Sequence, residues 1–253
     1  MQDNSALGRA MALVADLRER CPWDRAQTRE TLRPYLVEEA LELDDALARG
    51  SVEEIRHELA DVLLNVAFQL VLAEESGEFT AADVAETLER KIQRRHPHLF
   101  DGGPKESWEV IKHRERGQDG GLLDGLPPTL PPLLMAQRLQ ERAAAVGFDW
   151  PDTAGPADKV REELAECEAE FAESGDAERG HRLSEEIGDL LFAVVNLARK
   201  AGVPPGVALD AANRKFRRRF TAMERLAETR HINVHAAGLE VLDRLWDESK
   251  DEP

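Results

Sequence analysis

Apolar residues recur every three to four positions along most of this chain, in long stretches with little Gly or Pro. That spacing predicts α-helices, because it brings the apolar side chains onto one face of each helix. Runs of β-branched residues are scarce, so the pattern predicts an all-α fold. Helices are expected over residues 5–20, 30–49, 51–76, 80–95, 131–146, 156–174, 178–201, 204–230 and 234–248, with a further short one near 107–112.

The helical pattern is present twice. Residues 31–95 align with residues 155–219, and a repeat of this length is the size of a domain and not of a solenoid unit. Between the copies, segments rich in Gly and Pro interrupt the helices at 101–104, 117–121 and 125–132. We therefore expect two tandem helical domains, which cover residues 1–124 and 125–253.

Each copy carries the same arrangement of acidic residues, which reads EExxE and, further along, ExxD. On an ideal helix the second and third Glu of each EExxE lie beside the apolar stripe, while the first points away from it. If the two helices pack antiparallel, the carboxylates beside their stripes converge. The residues are Glu38, Glu39, Glu42, Glu58 and Asp61 in the first copy and Glu162, Glu163, Glu166, Glu186 and Asp189 in the second.

The apolar stripes of these four helices are expected to form the helix contacts and to face the core. The convergence of the acids is predicted from that packing. The stripes comprise Leu36, Ala40, Leu43 and Leu47; Ile55, Leu59, Val62 and Val66; Val160, Leu164, Cys167 and Phe171; and Leu183, Ile187, Leu190 and Val194.

Four carboxylates held together without a cation would repel one another strongly. A solvated acidic face is the commoner fate of Glu on a helix, but here the acids flank the expected core and the arrangement occurs twice. No His stands at the spacing of the di-iron Glu-x-x-His motif. An all-carboxylate ligand set favours Mg²⁺, with Mn²⁺ as a substitute, over zinc or iron.

A basic cluster follows each acidic motif. In each cluster a Lys and the Arg three residues further on share a helix face, where they can bind the outer phosphates of a nucleotide. Both basic clusters are explained equally well as surface Lys and Arg side chains that form ion pairs with the many acids of this chain. The residues are Lys91, Arg94 and Arg95 in the first copy and Asn213, Lys215 and Arg218 in the second.

Composition narrows the possible partners. The formal net charge is −17, which disfavours nucleic acid and anionic membrane surfaces. An acidic chain can still bind a phosphorylated small molecule when metal ions bridge the two. Cys21 and Cys167 are the only cysteines and fit a reducing compartment, and the N-terminal residues lack a signal-peptide pattern, so a cytoplasmic protein is expected.

Several segments together resemble the MazG-type nucleoside triphosphate pyrophosphohydrolases, a family of all-α enzymes, and the resemblance extends over residues 5–248. It implies two tandem MazG-like four-helix-type modules, a homodimer and dependence on Mg²⁺. It also implies hydrolysis of nucleoside triphosphates to the monophosphate and pyrophosphate, for nucleotide-pool sanitation or stress control. Besides the acidic and basic motifs, the segments are 21–24 (CPWD), 94–98 (RRHPH), 146–150 (VGFDW) and 186–192 (EIGDLLF).

These motifs lead to assignments for individual residues. The expected metal ligands are Glu163, Glu166, Glu186 and Asp189, with Glu39, Glu42, Glu58 and Asp61 as counterparts. The candidate catalytic residues are Glu162, Glu163, Glu38 and Glu39, of which Glu162 or Glu38 would orient or deprotonate the attacking water. The expected substrate-binding residues are Asn196, Asn213, Lys215, Arg218, Lys91, Arg94, Arg95 and Trp150. Trp150 and Trp23 are candidates for stacking on the base, and equally for core or interface positions.

The two copies differ around their acids. Phe68 stands where the second copy has Asn196, and Glu89 stands where it has Asn213. MazG-type sequences favour Asn at both places, so the second copy is expected to be the better catalyst. Two other interpretations stay open. One is a pyrophosphatase selective for dUTP or dCTP, or acting on phosphoribosyl-ATP, and the other is a non-catalytic helical module that binds partners.

Overall fold

The computed structural model of this protein describes residues 5–105, 108–115, 121–172 and 179–250, and the regular elements in those ranges are all helices. The prediction of an all-α fold is therefore confirmed. None of these helices combines the length and the apolar character that crossing a membrane requires. In chain order they are α1 (Ala6–Arg20), α2 (Pro22–Arg25), α3 (Arg29–Arg49), α4 (Val52–Ser76), α5 (Ala81–Arg95), α6 (Pro97–Phe100), α7 (Trp108–Glu115), α8 (Pro132–Ala145), α9 (Ala154–Ala172), α10 (Arg179–Lys200), α11 (Pro205–Thr229) and α12 (Leu239–Glu248).

Contacts within the chain divide it into two compact units, Met1–Lys105 and Glu106–Pro253. Helices α1 to α6 belong to the first unit and α7 to α12 to the second. The short helix α7, which a division at residue 125 would assign to the first half, packs against α8. The division into modules covering residues 1–124 and 125–253 stays a prediction.

The nine long helices expected from the sequence are all present, and capping side chains explain where several of them begin. Ser5, Thr28, Ser51 and Thr80 precede α1, α3, α4 and α5 and accept hydrogen bonds from backbone N–H groups of the first turn. Gly77 ends α4 with a φ of 68°, in the left-handed region that glycine adopts without strain.

Some helix limits differ from the expectation. Helix α12 begins at Leu239 and not at residue 234, because residues 233–236 form a turn in which the Asn233 side chain accepts a hydrogen bond from the His235 N–H. The short helices α2 and α6 were not expected, and each begins at a proline, which suits a first helical turn. The short helix expected near 107–112 is present as α7. The expected helical residues 107, 173, 174 and 178 lie outside the described residues.

The core of the first unit lies between α1, α3 and α4. Its buried side chains are Val14, Leu32, Ala67, Phe68 and Val71. Burial of such apolar side chains supplies most of the free energy that holds helices together. The helices α3 and α4, which carry the first set of acids, are therefore fixed by packing on α1.

A buried arginine fixes the end of α1 against α4 and against the segment that follows α1. The Arg18 guanidinium donates hydrogen bonds to both carboxylate oxygens of Glu75, at 2.7 and 2.8 Å. It also donates to the backbone oxygens of Asp24 and Gln27, at 2.7 and 3.1 Å. The planar fork of an arginine suits such a set of acceptors, so one side chain positions the CPWD segment.

In the second unit, α10 packs against both α8 and α9, while α11 packs against α12. Met223, Ala227 and Leu245 form a buried cluster between α11 and α12. The contact between α9 and α10, the helices with the second set of acids, is the most extensive of the unit. Their relative position is therefore well defined, which the geometry of the acids requires.

The apolar stripes on the acid-bearing helices were expected to face the core, and for most of their residues this prediction is wrong. On α3 the packed face holds buried Leu32 and Ala46, with half-buried Glu39 between them. On α9 it holds buried Glu163 and Cys167. Because the acids themselves occupy the helix contact, the stripes turn outward. The exposed stripe residues are Leu36, Ala40, Leu47, Leu59, Val66, Leu164, Phe171, Ile187 and Val194.

Replacing Arg18 by Met is expected to lower the free energy of unfolding by about 2–3 kcal/mol, because Glu75 and two backbone oxygens lose their donor. Arg20→Met is the matched control on the same helix, since the Arg20 side chain is 76% exposed where it pairs with Asp16. The control should change stability by less than about 0.5 kcal/mol. Urea unfolding followed by circular dichroism measures both, and equal losses would contradict a special role for Arg18.

Candidate functional site

In the first unit, acids meet along the seam where α3 packs against α4. Carboxylate oxygens of Glu39, Glu58 and Asp61 lie within 4.8 Å of one another. Partial burial, followed by the charges of Asp61 and Glu42, raises the pKa of Glu39. Keeping all the carboxylates of this first acidic group ionised is therefore unfavourable.

The second unit repeats this arrangement in the seam between α9 and α10. Carboxylate oxygens of Glu163, Glu166 and Glu186 lie within 4.8 Å of one another and form the second acidic group. Glu163 is only 4% exposed, which is rare for a carboxylate without a charged partner. Burial raises the pKa of Glu166, and so do its hydrogen bond with Glu163 and the charges of Glu163 and Glu186.

The buried Glu163 has a cationic partner on its own helix. Lys159 Nζ lies 2.5 Å from Glu163 Oε1 and 2.7 Å from Glu162 Oε1. The hydrogen bonds to Glu162 and Glu163 raise the pKa of Lys159, so this side chain stays charged. A single ammonium group balances only part of the charge of three carboxylates.

Both acidic groups suit a hard divalent cation. Their ligand atoms are carboxylate oxygens, and a cation would relieve the repulsion that raises the pKa of Glu39 and of Glu166. The two remaining acids expected to bind metal lie nearby. Glu42 lies close enough to Glu39 to help raise the pKa of that residue, and Asp189 lines a cavity together with Glu163.

That cavity, in the second unit, has a volume of about 490 Å³. Its wall combines polar or charged side chains with apolar ones, and a cavity of this size and composition suits a small organic ligand with a charged part. The polar side chains of the wall include Lys159, Glu163, Asp189, Asn196 and Arg199. The apolar ones include Leu139, Phe148, Trp150 and Phe192.

The loop that carries Trp150 is tied to α10 by a network of ion pairs. The Asp149 carboxylate accepts hydrogen bonds from Arg199 at 2.6 Å and from Lys200 at 3.0 Å. Arg199 also donates to Asn196 Oδ1 at 2.7 Å. The hydrogen bond from Arg199 is the largest effect on Asp149, and together these cations lower its pKa to about 2.

Position 196 distinguishes the two units. Asn196 is buried and lines the cavity of the second unit. Phe68, the aligned residue of the first unit, lies in the apolar core beside Val14. Asn65 is buried one turn earlier, and its amide donates to the backbone oxygen of Asp61 at 3.2 Å. The place of a polar cavity residue is thus filled by core packing in the first unit.

The basic clusters lie on helices other than those that carry the acids. Helix α5 packs mainly against α6, and α11 packs mainly against α12 and α8. In the described part of the second unit, the basic residues of α11 are not among those that line the cavity. Binding of phosphates by these clusters stays a prediction. The residues are Lys91, Arg94 and Arg95 on α5, and Asn213, Lys215 and Arg218 on α11.

The two tryptophans and the two glutamates that remain as candidates lie in different environments. Trp150 lines the cavity of the second unit, whereas Trp23 is 56% exposed and presents its ring edge-on to Tyr35, with centroids 6.4 Å apart. Glu38 and Glu162, the candidates for activating water, are both exposed, as their predicted outward position requires. Their role stays a prediction.

Several residues that line the cavity are missing from the assignments made on the sequence, and Lys159 and Gln140 are two of them. Lys159 stands four positions before Glu163, a spacing that brings a cation and an acid together on a helix, so the sequence contained the signal. Gln140 lies on α8 and lines the same cavity. No spacing rule connects it with acids on other helices, so only the tertiary structure reveals it.

A seam of carboxylates beside a cavity of this kind is what a helical nucleotide pyrophosphohydrolase requires, and comparison with known proteins places the chain in that class. A family model described as the MazG nucleotide pyrophosphohydrolase domain matches residues 27–100. The nucleoside triphosphate pyrophosphohydrolase/pyrophosphatase MazG of Thermotoga maritima is 44% identical over 236 residues, which cover 92% of this chain and 90% of that protein. The nucleoside triphosphate pyrophosphohydrolase of Escherichia coli (strain K12) is 42% identical over 252 residues, with 95% and 94% covered. The chain belongs to the MazG family.

Replacing Asp149 by Asn is expected to lower the free energy of unfolding by about 1–2 kcal/mol at pH 7, after allowance for screening by water. A carboxylate with a lowered pKa stabilises the folded state above its unfolded-state pKa of about 4, and this stabilisation is lost as the pH falls through about 2. The free energies of unfolding of the variant and the wild type should therefore converge in acid. Urea unfolding at pH 7, 4 and 2.5 measures this. Asp158→Asn, at a side chain that is 77% exposed, is the control without an expected effect.

Proposed function

We propose that this chain hydrolyses nucleoside triphosphates to the nucleoside monophosphate and pyrophosphate, with divalent cations held by its two acidic groups. The observation that carries the proposal is the cavity of the second unit, whose wall joins Glu163 and Asp189 to Asn196 and Trp150. Carboxylates suit metal-bound phosphates and an aromatic wall suits a base. Family membership supports the same activity, since the two relatives described above are named for it.

The proposed metal ligands are four carboxylates in each unit. Mg²⁺, or Mn²⁺ in its place, would neutralise phosphate oxygens and lower the pKa of a bound water. The negative charge already present supports this, because burial and then the neighbouring carboxylates raise the pKa of Glu166 and of Glu39. The ligands are Glu163, Glu166, Glu186 and Asp189 in the second unit, and Glu39, Glu42, Glu58 and Asp61 in the first.

We place the attack at the α-phosphorus, one of the two phosphorus atoms joined by the oxygen bridge that must be cleaved to release a monophosphate and pyrophosphate. The oxygen of a water molecule forms the new bond, the bond from the α-phosphorus to the bridging oxygen breaks, and that oxygen leaves with the pyrophosphate. In the second unit Glu162 takes the proton of the water or orients it, and Glu38 does so in the first. Lys215 and Arg218, or Lys91 and Arg94, neutralise the leaving pyrophosphate.

The second unit is proposed to be the better catalyst. Asn196 offers a polar side chain to its cavity, whereas the aligned Phe68 fills part of the apolar core in the first unit. The hollow beside Glu42 and Glu58 in the first unit is lined by Asp45, Arg49 and other residues without an aromatic ring. A base would therefore be held less well there.

We further propose that each half forms a four-helix-type module by association of two copies of the chain into a homodimer. The outward-facing stripes support this, since residues such as Leu59, Leu164 and Phe171 are about half exposed in the single chain. Leu191 extends the apolar surface of α10 and is 55% exposed. Apolar surface of this extent is characteristic of an interface with another protein surface.

Replacing Glu166 by Ala is expected to lower kcat/KM for pyrophosphate release by about 100-fold or more, because a proposed metal ligand is lost. Glu42→Ala should cost less, since the first unit is proposed to be the weaker catalyst. Glu168→Ala is the matched control on the exposed face of α9 and should leave the rate unchanged. Mg²⁺ should raise the melting temperature of the wild type more than that of Glu166→Ala. Full activity of Glu166→Ala would disprove the assignment.

Replacing Leu191 by Asp is expected to shift the protein from dimer to monomer, because a charge is placed in the proposed apolar interface. Sedimentation velocity at micromolar concentration measures the change. Val52→Asp is the control, since Val52 is 85% exposed at the start of α4. A wild-type protein that sediments as a monomer would overturn the dimer without affecting the proposed chemistry.

A further inference from the structure

A glutamine in the cavity of the second unit has one hydrogen-bonding atom in use and one without a partner. Gln140 is 6% exposed and lines the cavity. Its side-chain Nε2 donates to the backbone oxygen of Phe192 at 2.8 Å. Its Oε1 is buried and has no hydrogen-bond partner. Buried acceptors in this condition are rare in folded proteins, so a hydrogen-bond donor for Oε1 is to be expected, from a ligand or from a water molecule.

The orientation of the Gln140 amide follows from its partner. A backbone carbonyl can only accept a hydrogen bond, so the atom facing the Phe192 oxygen must be the amide nitrogen. The free atom is therefore the oxygen, which can only accept. A ligand that satisfies Gln140 has to present an N–H or O–H group.

The surroundings of Gln140 indicate which kind of donor this is. Leu139, Phe148, Trp150 and Phe192 line the same cavity and suit a flat aromatic ring. The charged side chains that suit metal-bound phosphates line the same cavity. A nucleotide bound with its phosphates near the acids would bring its base to the wall that contains Gln140.

Adenine and cytosine carry an exocyclic amino group at the position where guanine, hypoxanthine and uracil carry an oxygen. The amino group can donate to Gln140 Oε1, whereas the oxygen would place one acceptor against another. A buried polar group discriminates strongly between ligands that satisfy it and ligands that do not. When Oε1 faces this position of the base, it favours a base that carries an amino group there.

We propose that Gln140 recognises the base in the second unit, with its Oε1 accepting a hydrogen bond from the exocyclic amino group of adenine or cytosine. This rests on the proposed pyrophosphohydrolase function and adds a preference among its substrates. The base displaces the side-chain atoms that cover Oε1 in the free protein. Gln140 is a specificity residue that touches the base and takes no part in the attack on phosphorus.

The test compares substrates that differ at that position alone. The values of kcat/KM for pyrophosphate release are measured with ATP and ITP, and with CTP and UTP, in a Glu39→Ala background that disables the acidic group of the first unit. With Gln140 intact, ATP should exceed ITP and CTP should exceed UTP by about tenfold or more. Ratios near one would overturn the proposal without the need for any further variant.

A substitution then assigns the preference to Gln140. Gln140→Met keeps the length of the side chain and removes the acceptor, so both ratios should fall about tenfold, mainly through slower turnover of ATP and CTP. Gln137→Met is the matched control one turn earlier on α8, where the Gln137 amide donates to Glu141 at 2.8 Å, and its ratios should stay unchanged.

The possible outcomes separate the two proposals. If Gln140→Met releases pyrophosphate with unchanged ATP/ITP and CTP/UTP ratios, base recognition by Gln140 is disproved and the enzymatic function stays intact. This is also the result expected if a buried water is the partner of Oε1. Failure of the unmodified chain to release pyrophosphate from any of the four nucleotides with Mg²⁺ would disprove the function itself. If Gln140→Met is unfolded by circular dichroism, the ratios of the Gln140-containing protein decide the matter.

Discussion

Repulsion between carboxylates in the two helix seams is the constraint to which the rest of this structure responds. An apolar seam between α3 and α4, or between α9 and α10, would hold the helices together without cost, whereas buried acids must be compensated. Lys159 compensates part of the charge around Glu163. The remainder of the stabilisation comes from packing elsewhere, on α1 in the first unit and on α8 in the second.

The same constraint explains the surface of the single chain. When acids occupy the seam, the apolar residues beside them rotate outward, so the helices present both a charged contact and an apolar outer face. The acids and the apolar outer face therefore fall on the same four helices.

Much of the fold was predictable from local pattern. Periodicity and capping residues such as Ser51 and Thr80 locate the helices to within a few residues. The spacing of the acids predicts that four of them converge in each unit, and in each unit three lie within 4.8 Å of one another. Periodicity specifies which residues share a face, but not which face meets a neighbour. That is why Leu36 was expected in the core, while Glu39 on the adjoining face packs toward α4.

The cavity could not be predicted from the sequence, because its contacts join residues that are far apart in the chain. The hydrogen bond from Gln140 to Phe192 spans 52 positions, and that from Arg199 to Asp149 spans 50. No helical period links such positions. By contrast, the exchange of Asn196 for Phe68 was visible in the alignment of the two copies, and the structure supplies its physical meaning, since one side chain lines a cavity and the other fills a core.

Arg199 holds the loop through Asp149 and the amide of Asn196 with one guanidinium group. The loop that carries Trp150 and a polar group on the acid-bearing helix α10 are thus not independent parts. Loss of either partner would free the arginine to rotate and would disturb the other. A substitution at one of these three positions is therefore expected to disturb the other two, whereas Gln140, whose amide donates to Phe192, stands outside this network.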